Sequence, residues 1–218
     1  MVSHIAFIID GNRRWAKERN LSKLKGHIAG KEKVIDVIKW CDELNIKEVT
    51  IYALSSENLK REASEVAYLL GLLKDVLNDI FIKKPDLNVR IIGRKYLFSK
   101  DMVNLISKVE DDCGLKKGIK LNLCIGYGGR QEIVDATNKA IKNGKLVDEK
   151  SFEDLLDLKS SPDLVIRTGG QIRTSNFLPW QTIYSEWFFL KEYWPDFTKD
   201  RLLEVIDEFK SRVRNFGK

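Results

Sequence analysis

Residues 4–17 read HIAFIIDGNRRWAK, and the change of character inside that stretch sets the fold. His4 to Ile9 is a short apolar run that stops abruptly at Asp10-Gly11-Asn12, which is a turn signal. Such a run, bounded by a turn, reads as a buried strand. The pattern recurs along the chain. Val49 to Leu54 is broken by Ser55-Ser56-Glu57-Asn58, Leu87 to Ile92 is closed by Gly93, and Ile119 to Ile125 ends in Gly126-Tyr127-Gly128-Gly129-Arg130. Leu164 to Ile166 runs into Arg167-Thr168-Gly169-Gly170, and Trp187 to Leu190 reads as a sixth strand.

The segments between these runs carry helical spacing. One helix leads up to about Val34–Leu44. The clearest places Val66, Leu69, Leu70, Leu73, Val76, Leu77, Ile80 and Phe81 on one stripe. Ser99 is placed to cap a helix bearing Met102, Leu105, Ile106 and Val109, and Asn143-Gly144 ends the helix that follows the fourth strand. Thr198 opens a last helix with Leu202, Val205, Ile206 and Phe209 inward. Strands alternating with helices predict an α/β domain whose mainly parallel six-stranded sheet has helices on both faces. Folds of that kind bind ligands outside the carboxyl ends of their strands. Asp10, Ser55 to Asn58, Gly126 to Arg130 and Arg167 to Gly170 all follow strands directly, so they are expected to gather at one edge.

The chain has 218 residues, 43% of them hydrophobic, which is enough for one large core. No linker, repeat or low-complexity stretch divides it, and a single domain spanning 1–218 is expected. The net charge of +6 favours anionic partners, although paired lysines such as Lys83-Lys84 and Lys116-Lys117 read as solvated turns. Cys41, Cys113 and Cys124 form no C-x-x-C pair, so buried free thiols are expected rather than a disulfide framework or a zinc site. The first apolar run is too short for a signal peptide, and no segment approaches the length of a membrane span. A soluble, cytoplasmic protein is expected, free to visit a membrane surface.

Asp10 is followed at once by Asn12, Arg13 and Arg14. Arginines and free amides opening a helix make a phosphate seat, and a carboxylate beside it suits Mg²⁺, which takes one or two carboxylates plus phosphate oxygens. The competing reading makes Asp10 an N-cap and the arginines a solvated helix face. Arg167-Thr168-Gly169-Gly170, with Arg173 and Ser175 nearby, is a second candidate for an anion. Two arginine-bearing loops at one edge point to two phosphorylated groups, or to one long one. Other phosphate chemistries lack their signatures, since neither G-x-x-x-x-G-K-[ST] nor DDxxD occurs. G-x-S-x-G is absent too, and with only His4 and His27 a histidine-rich metal site is excluded.

Six strings in order, HIAFIIDGNRRWAK (4–17), GHIAG (26–30), YALSSENLKR (52–61), LCIGYGGR (123–130), DLVIRTGG (163–170) and SNFLPWQ (175–181), resemble the cis-prenyltransferase family, which includes undecaprenyl diphosphate synthase. The resemblance runs from about residue 4 to Gly217. It implies Mg²⁺-dependent condensation of isopentenyl diphosphate onto an allylic diphosphate, giving a cis-polyprenyl diphosphate. It implies that Asp10 holds Mg²⁺ against a diphosphate. Gly11, Asn12, Arg13, Arg14 and His27 become the allylic diphosphate seat, with Trp15, Lys23 and Arg61 beside them. Asn58 matches the asparagine linked to proton removal and is flanked by Ser55, Ser56, Glu57 and Leu59. Arg167, Arg173, Thr174 and Ser175 match the isopentenyl diphosphate seat, and Glu186 matches a second acidic position for Mg²⁺. The helix at 66–81, facing the strand at 49–54, becomes one wall of an apolar tunnel for the growing chain. A homodimer and peripheral membrane contact for product release are further implications of the same resemblance.

The chain departs from the bacterial pattern at four places. Lys23 stands where an arginine is usual, and Leu59 replaces an aromatic. Gln171 and Ile172 replace a Glu-His pair, which removes a possible second metal ligand and leaves more to Glu186. Glu186 also precedes its strand, so it reaches the expected edge only if a neighbouring subunit supplies it. Two rival readings remain at this level. A non-catalytic subunit of a two-chain prenyltransferase is expected to lose the aspartate and arginines that this chain keeps. A nucleic-acid-binding module requires aromatics interleaved with basic residues on one surface, whereas Phe188 and Phe189 sit in an apolar pattern.

Overall fold

The computed structural model describes residues 2–83, 86–144 and 146–212, apart from the side chains of 80–83. The Ile80 and Phe81 side chains, the Lys83-Lys84 pair and the approach to Gly217 lie outside the described residues. The elements follow in the order β1 (His4–Ile8), α1 (Asn12–Glu18), α2 (Lys23–Glu43), β2 (Glu48–Ser55), α3 (Ala63–Lys83), β3 (Asn88–Ile92) and α4 (Lys100–Cys113). After them come β4 (Lys120–Tyr127), α5 (Gly129–Lys142), α6 (Glu149–Glu153), β5 (Leu164–Arg167), β6 (Glu186–Phe189) and α7 (Lys199–Ser211).

All six strands pair in parallel, in the order β3-β4-β2-β1-β5-β6. Every residue of β1 is buried, as a central parallel strand requires. Its alternate side chains feed two cores. Ile5 and Phe7 join the larger one, with Val34 and Ile38 of α2, Leu73 and Leu77 of α3, Ile106 of α4 and Leu202 of α7. Ala6 and Ile8 join the smaller one, with Tyr52, Tyr127, Leu158, Phe177 and Leu178. The expected caps form: Ser99 accepts from the Met102 amide, Thr198 accepts from the Arg201 amide, and Gly144 ends α5 at positive φ.

The single helix expected after Asn12 is two. Asn20 takes a φ of 54°, which breaks the run, and Ser22 then caps α2. The fourth strand runs two residues past its expected end, to Tyr127, and its pairing with β2 shifts register between Tyr52 and Ser55. The order of strands puts β1 at the point where the chain, having built β2, β3 and β4 on one side, crosses to β5 on the other. Such a switch point opens a crevice at the carboxyl ends of the two neighbouring strands.

Candidate active site

Ile8 of β1 lies opposite Arg167, the last residue of β5. Asp10 is two residues beyond, and its carboxylate reaches back across that pair. One oxygen accepts from Arg167 Nη2 at 2.9 Å and the other from Arg14 Nη2 at 3.0 Å. The Asp10 carbonyl accepts from the Thr168 hydroxyl at 2.7 Å and from the Trp194 amide at 3.1 Å, so the turn itself is pinned. Gly11 makes the turn possible. Its φ is 113°, and a β-carbon there would lie 2.6 Å from the Tyr193 ring.

Beyond Asp10 a cavity of about 1300 Å³ opens at the carboxyl edge of the sheet. Arg13, Arg14, Lys17, Lys23, Arg61, Arg167 and Arg173 line it, against the carboxylates Asp10 and Glu57. This excess of cations is the electrostatic signature of an anion site, since low-dielectric walls concentrate the field. Arg13 and Arg61 converge on Glu65, at 3.4 and 2.9 Å, and His27 lies beside them. Burial depresses the His27 pKa below its ordinary value, the nearby Arg61 and Arg13 add to the effect, and Glu65 opposes it. The His27 Nε2 and Asn12 Oδ1 atoms are buried without a partner among the described residues. Buried polar atoms usually have one, so these two are poised for a ligand.

On the other side of Asp10, Arg167 is 4% exposed. Its Nη1 donates to the Arg173 carbonyl and to Ser175 Oγ, the latter at 2.7 Å, so it fastens the 173–175 loop to the aspartate. Asn58 and Ser55 bond reciprocally: the Ser55 amide donates to Asn58 Oδ1 at 3.2 Å, and the Asn58 amide to Ser55 Oγ at 3.1 Å. Asn58 therefore sits in a fixed orientation on the cavity wall.

The structure thus brings together Asp10, Gly11, Asn12, Arg13, Arg14, Lys23, His27, Ser55, Glu57, Asn58, Arg61, Arg167, Arg173 and Ser175 around one cavity. Five other expected positions lie elsewhere. Trp15 turns away, donating from Nε1 to Asp196 at 2.6 Å with Arg19 over its ring. Ser56 bonds Glu57 but is not part of the lining, Leu59 packs on the larger core, and Thr174 is exposed outside the lining. Glu186 opens β6 at the amino edge of the sheet, opposite the cavity, where Arg212 pairs with it at 2.7 Å. Within this chain it is not a ligand for a metal at Asp10. The Gly126 to Arg130 loop also stays out of the cavity.

Lys17, Glu65, Tyr52 and Asn176 were not expected, and Gln171, noted only as a departure from the family pattern, lines the cavity. The i, i+4 spacing of Arg61 and Glu65 is the signal that would have found the second of these. The apolar wall expected for a tunnel is present but narrow. A pocket of about 90 Å³ continues from His27 and Asn12 between α2, α3 and β2, lined by Val34, Ile51, Leu69, Leu72, Leu73 and Val76.

Residues 8–217 match the family model described as putative undecaprenyl diphosphate synthase. The chain belongs to this prenyltransferase family. An isoprenyl transferase of Aquifex aeolicus is 40% identical over 99% of this chain and 95% of its own length. A tritrans,polycis-undecaprenyl-diphosphate synthase (geranylgeranyl-diphosphate specific) of Thermoplasma acidophilum is 41% identical over 99% and 88%. Among solved structures, lavandulyl diphosphate synthase from Lavandula x intermedia, in complex with dimethylallyl diphosphate, superposes with a TM-score of 0.93 at 34% identity, covering 100% of this chain and 98% of that one. A probable undecaprenyl diphosphate synthase from Campylobacter jejuni gives 0.87 at 30%, covering 100% and 99%. The chain is an enzyme of isoprenoid biosynthesis, a prenyltransferase of the cis type. The fold expectation, an α/β domain built on a six-stranded sheet, is met by an all-parallel one. The thiols of Cys41, Cys113 and Cys124 are all buried and free, as expected. No described helix is long and apolar enough to cross a membrane.

Proposed function

We propose that the cavity holds two diphosphates at once, with Asp10 on the boundary between them. The allylic diphosphate occupies the side formed by Asn12, Arg13, Arg14, His27 and Arg61, and isopentenyl diphosphate the side formed by Arg167, Arg173 and Ser175. The observation that carries this reading is the Asp10 carboxylate, bonded on one oxygen to a guanidinium of the first group and on the other to one of the second.

The residues fit Mg²⁺ supplied together with a diphosphate. Asp10 gives one carboxylate facing the cavity, and no group of three or more His, Cys, Asp or Glu able to hold a metal occurs among the described residues, so diphosphate oxygens would complete the shell. When bound, the ion would compensate the charge that builds up on the leaving diphosphate. Arg13, Arg14 and Arg61 do the same from fixed positions, which is preorganised stabilisation of the separating charges. The isopentenyl diphosphate is not cleaved and needs only placement, the task of Arg167 and Arg173. Asn58, neutral and held by Ser55, orients the carbon that loses its proton after the new bond forms. A weak acceptor suffices, because the cation at that stage is strongly acidic.

Two coarser readings accompany this one. Exposed Ile183 and Tyr184 near β6 support a homodimer. Leu24 and Ile28, exposed on α2 beside the cavity, together with the basic charge, support contact with an anionic lipid surface. Large aromatics such as Phe7, Trp194 and Phe197 pack against one another in the core, which favours the enzyme reading over a nucleic-acid surface built on stacked aromatics.

The test is incubation of the purified chain with Mg²⁺, radiolabelled isopentenyl diphosphate and allylic primers of increasing length, followed by sizing of the products. Asp10→Ala abolishes incorporation, and Arg167→Ala raises the half-saturating isopentenyl diphosphate concentration. Unchanged half-saturation in Arg167→Ala sinks the assignment of that side.

A further inference from the structure

The glycine-rich loop after β4 stays outside the cavity and has another use. α5 begins at Gly129 behind Gly128, which has no side chain to cap it. The first amides of a helix need acceptors from outside it. Here a distant residue supplies two. The Gly129 amide donates to the Asn176 carbonyl and the Arg130 amide to Asn176 Oδ1, both at 2.8 Å. The other half of the same carboxamide, Nδ2, donates to Glu57 Oε1 at 3.3 Å. Asn176 therefore joins three loops: the one after β4, the one after β2 that carries Glu57 and Asn58, and the one that carries Arg173 and Ser175.

The surrounding sequence makes room for this junction. A β-carbon at Gly128 would stand 2.9 Å from Asn176 Nδ2 and from Ser56 Oγ, and one at Gly129 would collide with Pro179. The joining loop is strained: Ser175, Asn176 and Leu178 have φ of 50°, 63° and 44°. Non-glycine residues persist in that region only where neighbours over-determine them, and asparagine tolerates it better than most. The fastenings are Arg167 on the Arg173 carbonyl and on Ser175, the Tyr52 ring stacked on Phe177 at 4.7 Å, and Asn176 itself. Of these, only Asn176 reaches the loop of Glu57 and Asn58 through its own side chain.

We propose that Asn176 is a positioning residue that keeps the isopentenyl diphosphate side of the cavity in register with the Glu57–Asn58 loop, and that Gly128-Gly129 is its receptor. The inference rests on the two-diphosphate reading above. Because the amide bonds α5 with its oxygen and Glu57 with its nitrogen, the two functions separate by substitution. Asn176→Ala loses both. Asn176→Asp keeps the acceptor for the Arg130 amide but sets a carboxylate against Glu57. Glu57→Gln in that background exchanges acid and amide and restores the bond.

Steady-state kinetics with both substrates, alongside melting temperatures, test the proposal. Asn176→Ala is expected to raise KM for isopentenyl diphosphate by roughly tenfold, the loss of about one helix cap in binding terms. KM for the allylic diphosphate should stay within about twofold, since Asn176 bonds Gly129, Arg130 and Glu57 and none of the residues placed on that side. Asn176→Asp should lower kcat, and Asn176→Asp/Glu57→Gln should recover it beyond what Glu57→Gln alone gives. Equal shifts in both KM values, or a lower melting temperature with neither KM changed, overturns the proposal in favour of plain structural support. If Asn176→Ala does not fold, the Asp and double variants decide. Wild-type chain without any condensation activity would instead count against the two-diphosphate reading.

Discussion

Replacing Asp10 by alanine should destabilise the ligand-free protein, the reverse of what removal of an active-site group often does. Arg167 is 4% exposed, and Asp10 is its carboxylate partner at 2.9 Å. Breaking a buried ion pair by removing one member typically costs about 3–5 kcal/mol, because the other charge stays buried. Two features lower that figure. The Asp10 side chain is 29% exposed, and Arg167 keeps the Arg173 carbonyl and Ser175 as acceptors. The half-exposed pair with Arg14 adds no more than about 1 kcal/mol. A net loss of roughly 2 kcal/mol follows, which for a chain of this size lowers the melting temperature by about 4–8 °C. Thermal unfolding in buffer with a chelator measures it. Asp10→Asn, which retains an oxygen acceptor, should recover part of the loss. Inorganic diphosphate should then stabilise Asp10→Ala more than the wild type, since its arginines no longer share their charge with a carboxylate. At about one hundred times its dissociation constant, a ligand adds some 2.7 kcal/mol. An alanine variant that melts at or above the wild type without ligand would refute the argument that Asp10 is the counter-ion of the site.

Three further outcomes are expected. His27 has its pKa lowered by burial and by Arg61 and Arg13. A bound diphosphate favours the protonated ring, so allylic diphosphate binding near pH 6.5 should take up a proton, seen calorimetrically as a heat that varies with buffer ionisation and disappears in His27→Gln. Burial likewise lowers the pKa of His4, which faces Thr50, Glu48, Lys120 and Asp163. The unfolded chain then takes the proton first, so stability present above about pH 6.5 is lost as the pH falls, and His4→Gln should flatten that loss in melting curves. Lys31, one of the residues lining the apolar pocket, pairs with Asp79 across α2 and α3 at 3.0 Å. Lys31→Ala/Asp79→Ala should lengthen the product by one or more five-carbon units, and an unchanged product ladder would show that the pair does not limit it.

The strands and the edge they share were legible because buried parallel strands are written as continuous apolar runs and their ends as turns. Asp10 and Arg167 stood at such ends. The order of the strands was not legible, because pairing joins residues far apart: His4 lies beside Glu48 on one side, while Leu164 lies beside Ile5 on the other. Side-chain direction was also out of reach. Trp15 shares a string with Arg14, yet α1 points it toward Asp196 while Arg14 turns back to Asp10. Asn176 stood next to Ser175 in view and went unnoticed, because its value comes from the ends of two other loops and from a backbone angle that no local pattern announces.

Register explains why the site holds together at all. Ile8 pairs with Arg167, and neighbouring residues of a strand face opposite sides of the sheet. A slip of one residue in β5 would send the Arg167 side chain to the other face and leave Asp10 without its buried partner. The alternation that puts Ile166 into one core and Val165 into the other fixes that register hydrophobically. The same burial that folds the sheet therefore sets the distance between the metal-binding carboxylate proposed here and the arginine of the second diphosphate. One carboxylate bonded to both cationic groups also couples them: a diphosphate that draws Arg167 away leaves Asp10 freer to bind a cation on the other side. Filling one side of the cavity should thus prepare the other, through a single side chain and without any movement of the sheet.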